Sequence, residues 1–427
     1  MKIEHQEIEK HNETFAAVHE VKLQRLKEDW GAKVVEDVIA KLLAFQIAIP
    51  SWALGTGGTR FGRFASAGGE PRTLEEKIED VGLLHKLNAA SGAISLHIPW
   101  DIPTDVNQIK KLAAQHDLIF DAVNSNTFQD QPNAPLSYKF GSLQHVDKAV
   151  RQQAIAHNIE VIKQGEGLGS KALTVWLADG SCFPGQLNFR KAFENTLDSL
   201  QQIYAALPSD WNLLVEYKAF EPNFYSSTIG DWGQSMLLAN KLGPKAKTLV
   251  DLGHHLPNAN IEQIVSLLLM ENKLGGFHFN DSKYGDDDLT AGSVKPYQLF
   301  LIFNELVEGM DAKGMDHAKD LGWMIDASHN VKDPLEDLLQ SVDAITLAYA
   351  QALMVDRKAL VSAQQDNDVA QAQEILQHTF RSDFRALTAE ARLRANGALN
   401  PLQFYRSADC RQQLVSQRGR NTTATGL

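Results

Sequence analysis

Carboxylates and imidazoles recur in this 427-residue chain where short apolar runs end, a set of side chains suited to holding divalent cations. Glu216 and Lys218 close NLLVEYKAF (212–220), and Asp251, His254 and His255 close KTLVDLGHH (247–255). His278, Asn280 and Asp281 sit in LGGFHFNDS (274–282), with Asp286, Asp287 and Asp288 just behind. Asp326 and His329 belong to LGWMIDASHN (321–330). The set holds no thiolate, which suits Mn²⁺, Mg²⁺ or Co²⁺ and also admits Zn²⁺. So many acids converging would repel one another unless cations neutralised them, so more than one bound ion is expected.

Spacing narrows the roles. Glu216 and Lys218 are two apart, so an extended strand points both to one face. A lysine beside a bound carboxylate can polarise a carbonyl or alkoxide without being a ligand. Asp251 and His254 are three apart, and Gly253 between them is expected to let the strand end turn both inward. His254 and His255 are adjacent, so one of them reaches the ion, and His254 is the choice. Asp286 and Asp288 are read as clasping one ion from an extended loop, with Asp287 facing solvent.

Four earlier runs, FQIAIPSW (45–52), AISLHIPW (93–100), DLIFDAVNSN (117–126) and KALTVWLADG (171–180), deliver Trp52, His97, Trp100, Asp101, Asn124, Asn126, Trp176 and Asp179. His97 is a candidate acid or base, and the tryptophans offer flat apolar faces to sugar C–H surfaces. Taken singly, each has a plainer explanation: a packed tryptophan, a satisfied histidine, a solvated aspartate run, a surface ion pair. Their convergence favours one site. The stretch GTGGTRFGRF (55–64) can cradle phosphate with Arg60 and Arg63, but no Walker lysine or GxGxxG accompanies it. A loop over the site, presenting Phe61 and Phe64, is the simpler reading.

The elements that must position these residues follow a rhythm. Eight short apolar runs alternate with helical stretches, which implies right-handed βαβ units and a parallel sheet. Eight units predict a closed (β/α)₈ TIM barrel, with an open doubly wound sheet as the alternative. Thr73 with Glu76 and Asp333 with Pro334 mark two helix starts. Residues 16–45 read as one amphipathic helix on Leu23, Leu26, Trp30, Val34, Val35, Val38, Ile39 and Leu42. The expected division is a helical extension over 1–44, the barrel over 45–356, and a helical extension over 357–427 suited to oligomerisation. Its last thirty residues read as loosely ordered.

Composition sets the outer bounds. Fifty-three acids against 41 bases give a net charge of −12, which disfavours nucleic acid as a partner. Two cysteines outside any CxxC exclude a disulfide framework and a structural zinc knot. No apolar run approaches the roughly 18 residues of a membrane span, and the N-terminus lacks a signal-peptide core. A soluble, cytoplasmic enzyme is expected.

The runs PSWALGTGGTRFGRF, SLHIPWD, SKALTVWLADGSCFPGQ, VDLGHH, GGFHFNDSKYGDDDL and MIDASHNVKDP resemble the bacterial L-rhamnose isomerases, most closely the broad-specificity type. That resemblance implies a TIM barrel, two metal ions per subunit, usually Mn²⁺, and a homotetramer. It implies Glu216, Asp251, His278 and Asp326 as ligands of a structural metal. His254, Asp286 and Asp288 would hold a catalytic metal, with Asp251 bridging. Lys218 would assist at the substrate oxygens, and His97, Trp52 and Trp176 would line the sugar site. Phe61 resembles the phenylalanine that closes the pocket from a neighbouring subunit.

The expected reaction moves hydrogen between C1 and C2 of an aldose, L-rhamnose to L-rhamnulose, and also acts on L-mannose, L-lyxose and D-allose. Lys218, His97 and Asp326 are the catalytic candidates. Both a 1,2-hydride shift and an ene-diol route stay open. A dinuclear hydrolase, a sugar epimerase and a catalytically silent sugar-binding protein are the rivals. The first would want an HxH at strand one, where this chain has PSW, and the second two opposed carboxylates free of metal. The third would be expected to have lost Lys218 or a ligand.

Overall fold

The computed structural model describes residues 3–55, 67–177, 182–221, 227–327 and 331–420. Eight parallel strands run in chain order: β1 Ala48–Pro50, β2 Ala93–Ile98, β3 Ile119–Ser125, β4 Ala172–Trp176, β5 Asn212–Glu216, β6 Ala246–Asp251, β7 Leu274–Phe279 and β8 Gly322–Ile325. Each pairs with the next, and Ala48 of β1 opposite Met324 of β8 closes the barrel. The predicted TIM barrel is therefore the observed fold. The strands are shorter than the apolar runs, which also take in buried residues beside the strands such as Ile47, Leu118, Tyr217 and Leu252.

Seven of the eight helices that follow the strands begin at a side chain accepting a backbone N–H: Thr73, Asp105, Asp147, Asn188, Asp231, Asn260 and Asp333. Such caps satisfy donors that the first helical turn leaves open and fix where each βα loop ends. Ala122, Leu214 and Leu249 of β3, β5 and β6 meet in one apolar cluster. Strands that are not all neighbours can do so only across the barrel interior.

The N-terminal segment differs from the single helix expected over 16–45. It forms two helices, His5–Trp30 and Ala32–Ala44, broken at Gly31 with φ 91°. A residue with a Cβ rarely adopts that conformation, so glycine sets the break. Beyond the barrel lie five helices, Arg357–Gln365, Val369–Arg381, Arg385–Arg394, Pro401–Ser407 and Cys410–Arg418. The last two overturn the expectation of a loose end up to residue 420. Cys410, Leu414 and Val415 are buried, and the Arg411 guanidinium grips Asp333 with bonds of 2.6 and 2.7 Å. Arg418 donates to buried Asp80 at 2.8 Å and to the Gly69 carbonyl at 3.1 Å. Among the described residues, no single helix is long and apolar enough to cross a membrane.

Candidate active site

The C-terminal ends of the strands converge on one cleft of about 630 Å³, counting its solvent-open space. Trp52, His97, Trp100, Trp176, Glu216, His254, His278, Asp286, Asp288 and Asp326 all reach it. Two overlapping ligand groups form its floor. Glu216, Asp251, His278 and Asp326 bring one ligand atom each within 4.8 Å of the others. Asp251, His254 and Asp286 do the same, so Asp251 belongs to both. Asp288 shares the cleft but is in neither group.

Geometry fixes which atoms face inward. His278 Nδ1 lies 3.1 Å from Glu216 Oε1, 3.5 Å from Asp326 Oδ2 and 3.8 Å from Asp251 Oδ2. His254 Nε2 lies 3.1 Å from Asp286 Oδ1 and 3.9 Å from Asp251 Oδ2. Its Nδ1 is 3.0 Å from the Tyr217 carbonyl oxygen, which only accepts. Nδ1 therefore keeps a proton, and Nε2 is left to bind.

The donor set fits divalent cations by its own chemistry. Asp251 Oδ2 is buried with no hydrogen-bond partner, although the carboxylate's other oxygen accepts from Gly253 N–H at 2.7 Å and Asn280 Nδ2 at 3.0 Å. An orphaned carboxylate oxygen between two imidazoles is costly unless a cation or proton meets it. The protons respond accordingly. Burial pushes Asp251 up to about 7, with Glu216, Asp286 and Asp326 adding repulsion and His254 opposing. Burial opposes charge on His254, yet Asp251 and Asp286 raise it to about 9. Burial likewise opposes charge on His278, which Glu216, Asp326 and Asp251 raise to about 9.

Lys218 donates to both Glu221 and Asp286 and stands 5.1 Å from the Trp176 ring centroid. Aromatic side chains line the same cleft, and the Trp176 ring stacks on that of His254 with centroids 6.2 Å apart. The His97 and Trp100 rings meet at a tilt of 33° with centroids 4.2 Å apart, and the Phe128 ring centroid lies 4.8 Å from that of Trp176. Burial drives His97 down to about 3, so it is neutral at pH 7, and its Nδ1 has no partner. Trp52 does more than line the cleft: its Nε1 donates to Asp326 Oδ1 at 2.9 Å.

Several sequence-based readings change. Asp286 and Asp288 have φ of 51° and 48°, so the loop makes left-handed turns and is not extended. Asp287 is half-buried and accepts N–H groups of Lys283 and Tyr284, so it braces the loop and does not simply face solvent. Gly253 is required for space more than for its turn: a Cβ there would meet Asn280 Oδ1 at 2.7 Å. Asp101 and Asp281 gain structural roles. Asp101 accepts from Lys77 at 2.7 Å and from His97 N–H at 2.9 Å, while Asp281 accepts from Val294 and Lys295 N–H at 2.7 Å each. Phe61, Asp179 and His329 lie outside the described residues. Sequence reasoning missed Glu221 and Phe128. The three-residue step from Lys218 to Glu221 was the one available hint, and nothing local marked Phe128.

A probable sugar isomerase of Rhizobium meliloti (strain 1021) is 53% identical over 386 residues, covering 90% of this chain and 89% of its own. A probable sugar isomerase of Mesorhizobium japonicum is 52% identical over 394 residues, covering 92% and 90%. A solved L-ribulose 3-epimerase aligns over 75% of this chain and 98% of its own at 15% identity, TM-score 0.49. The Xylose isomerase-like TIM barrel family matches residues 89–333, and with that match, the two relatives and the closed barrel, this chain belongs to that family.

Proposed function

We propose that this protein is a divalent-metal-dependent aldose–ketose isomerase of the L-rhamnose isomerase kind, interconverting L-rhamnose and L-rhamnulose and accepting L-mannose, L-lyxose and D-allose. The observation that carries the proposal is the pair of ligand groups sharing Asp251 beside aromatic side chains in one cleft. The relatives' names support the reaction class. In this reading Glu216, Asp251, His278 and Asp326 hold one ion, and His254, Asp286 and Asp288 with Asp251 hold the other, Mn²⁺ being the expected metal. Bound ions would stabilise the alkoxide charge that develops as the open-chain sugar reacts.

The chain's own groups do the rest. In the net reaction a hydrogen leaves C2 for C1, and the O2 hydroxyl proton ends on O1. An ammonium has three N–H donors. Two of Lys218's are taken by Glu221 and Asp286, which leaves one to aim at a substrate oxygen. Neutral His97 lines the cleft, where its imidazole meets a sugar hydroxyl during ring opening. Trp52 holds Asp326, and Trp100, Phe128 and Trp176 take the sugar's C–H face and exclude water. Assembly as a homotetramer, with Phe61 closing a neighbour's pocket, is part of the proposal and is read by light scattering.

The test is ketose formation by ion-stripped protein, with and without Mn²⁺, on L-rhamnose, L-mannose, L-lyxose, D-allose and D-ribose. Mn²⁺-dependent ketose is expected, with L-rhamnose fastest. No turnover on any sugar while the ion is demonstrably bound would overturn the proposal.

A further inference from the structure

Two adjacent histidines follow β6, and they face opposite ways. His254 turns into the cleft, its Nδ1 held by the main-chain carbonyl of Tyr217 at 3.0 Å. His255 turns behind it, its Nε2 2.6 Å from the phenol oxygen of the same tyrosine. Tyr217 is 1% exposed and its ring meets the His255 ring edge-on with centroids 5.3 Å apart. One residue at the end of β5 thus grips both histidines, one with its backbone and one with its side chain.

The turn that Tyr217 grips carries more than His254. The Gly253 carbonyl accepts the Asp286 N–H at 2.9 Å, so the loop bearing Asp286 docks on this turn. Two of the three residues in the group Asp251, His254 and Asp286 therefore take their positions from residues 253–255. The group Glu216, Asp251, His278 and Asp326 draws its other ligands from β5, β7 and the end of β8, and its own hold on the turn is the Gly253 N–H that Asp251 accepts at 2.7 Å.

We propose that the Tyr217–His255 pair is a positioning device for the second ion: it clamps the 253–255 turn to β5 and so fixes His254 and Asp286 together. This rests on the two-ion reading above. Partners that orient a metal ligand from behind typically change affinity by about 10- to 100-fold when removed.

The experiment is calorimetric Mn²⁺ titration of the ion-stripped full chain. Asp286→Asn identifies which step belongs to the second ion. Tyr217→Phe keeps the ring and removes its oxygen, His255→Leu removes the imidazole, and His255→Gln retains a polar partner. Tyr217→Phe and His255→Leu should weaken the second step by about 10- to 100-fold and leave the first within about twofold, with partial recovery in His255→Gln. An unchanged second step in folded variants, or equal losses in both steps, overturns the positioning role alone. Wild-type protein that binds no ion overturns the two-ion reading and the positioning role with it. If Tyr217→Phe does not fold, the contrast between His255→Leu and His255→Gln decides.

Discussion

Loading the barrel mouth with divalent ions should expel protons, and the structure sets how many. His254 and His278 are raised to about 9 by the carboxylates around them, against the opposing effect of burial. At pH 7 each is about 99% protonated in the ion-free protein, whereas a metal needs the neutral nitrogen. Asp251, raised to about 7 by burial, is about half protonated at that pH and must also ionise. Ion loading at pH 7 should therefore release about 2.5 protons: about two from the imidazoles and about half of one from Asp251. At pH 9 the count falls to about one, and at pH 10 to about 0.2. Protons compete with the ions, so the overall affinity for the full set of ions rises with pH, by about 2.5 decades per pH unit at pH 7 and about one at pH 9, and levels off near pH 10. The assay is Mn²⁺ calorimetry at fixed pH in buffers of differing ionisation enthalpy, where the slope of observed heat against that enthalpy gives the proton count. A count below about one at pH 7, or one that does not change between pH 7 and 10, would refute the account of these pKa values.

Three further outcomes follow from contacts described above. Lys77 and Asp101 are a fully buried pair at 2.7 Å, so Asp101→Asn or Lys77→Met should each cost about 3–5 kcal/mol in urea unfolding. The double variant should cost less than either single change, and strictly additive costs would rule out the pair as the reason. Trp52→Phe removes the 2.9 Å bond to Asp326, and with it about 1.5–3 kcal/mol of charge-assisted bonding. Weaker binding of the first ion and a raised KM for sugar are expected, and unchanged ion affinity would count against a positioning role for the indole. Arg411→Met removes the two hydrogen bonds to Asp333 and should lower stability by about 2–3 kcal/mol, which equilibrium unfolding would contradict if the loss were under about 0.5.

The barrel was legible because each strand's residues, read alone, already carried the signal. Short apolar runs ending in polar residues needed no distant partner to be recognised, and closure then brought Glu216, Asp251, His278 and Asp326 together. What escaped the sequence depends on partners far away in it. Asp101 looked like another strand-end acid until Lys77, from the preceding helix, reached it. Phe128 gains meaning from Trp176 and His97, which lie on other strands. The φ values of Asp286 and Asp288 reflect a loop braced by Asp287 and Asp281, and spacing alone cannot show bracing. The break at Gly31 was the exception. A glycine inside a helical pattern is a local signal, but the apolar stripe running through both helices masked it.

The docked tail also bears on how the molecule is made. Its bonds join the two ends of the chain: Asn12 donates to the Gly397 carbonyl, His19 meets Glu390, and Arg418 reaches Asp80. A ribosome adding about 5–20 residues per second needs about 14–55 s to pass from Ala48 of β1 to Gly322 of β8, and about 17–68 s from Asp80 to Arg418. Through those intervals β1 has no β8 to pair with, and Asp80 waits for an arginine not yet translated. The last strand closes the barrel and the last helices lock its first loop, so a nascent chain cannot assemble this site piecemeal from its N-terminus. The apolar strand faces made first stay uncovered until the later strands and helices arrive.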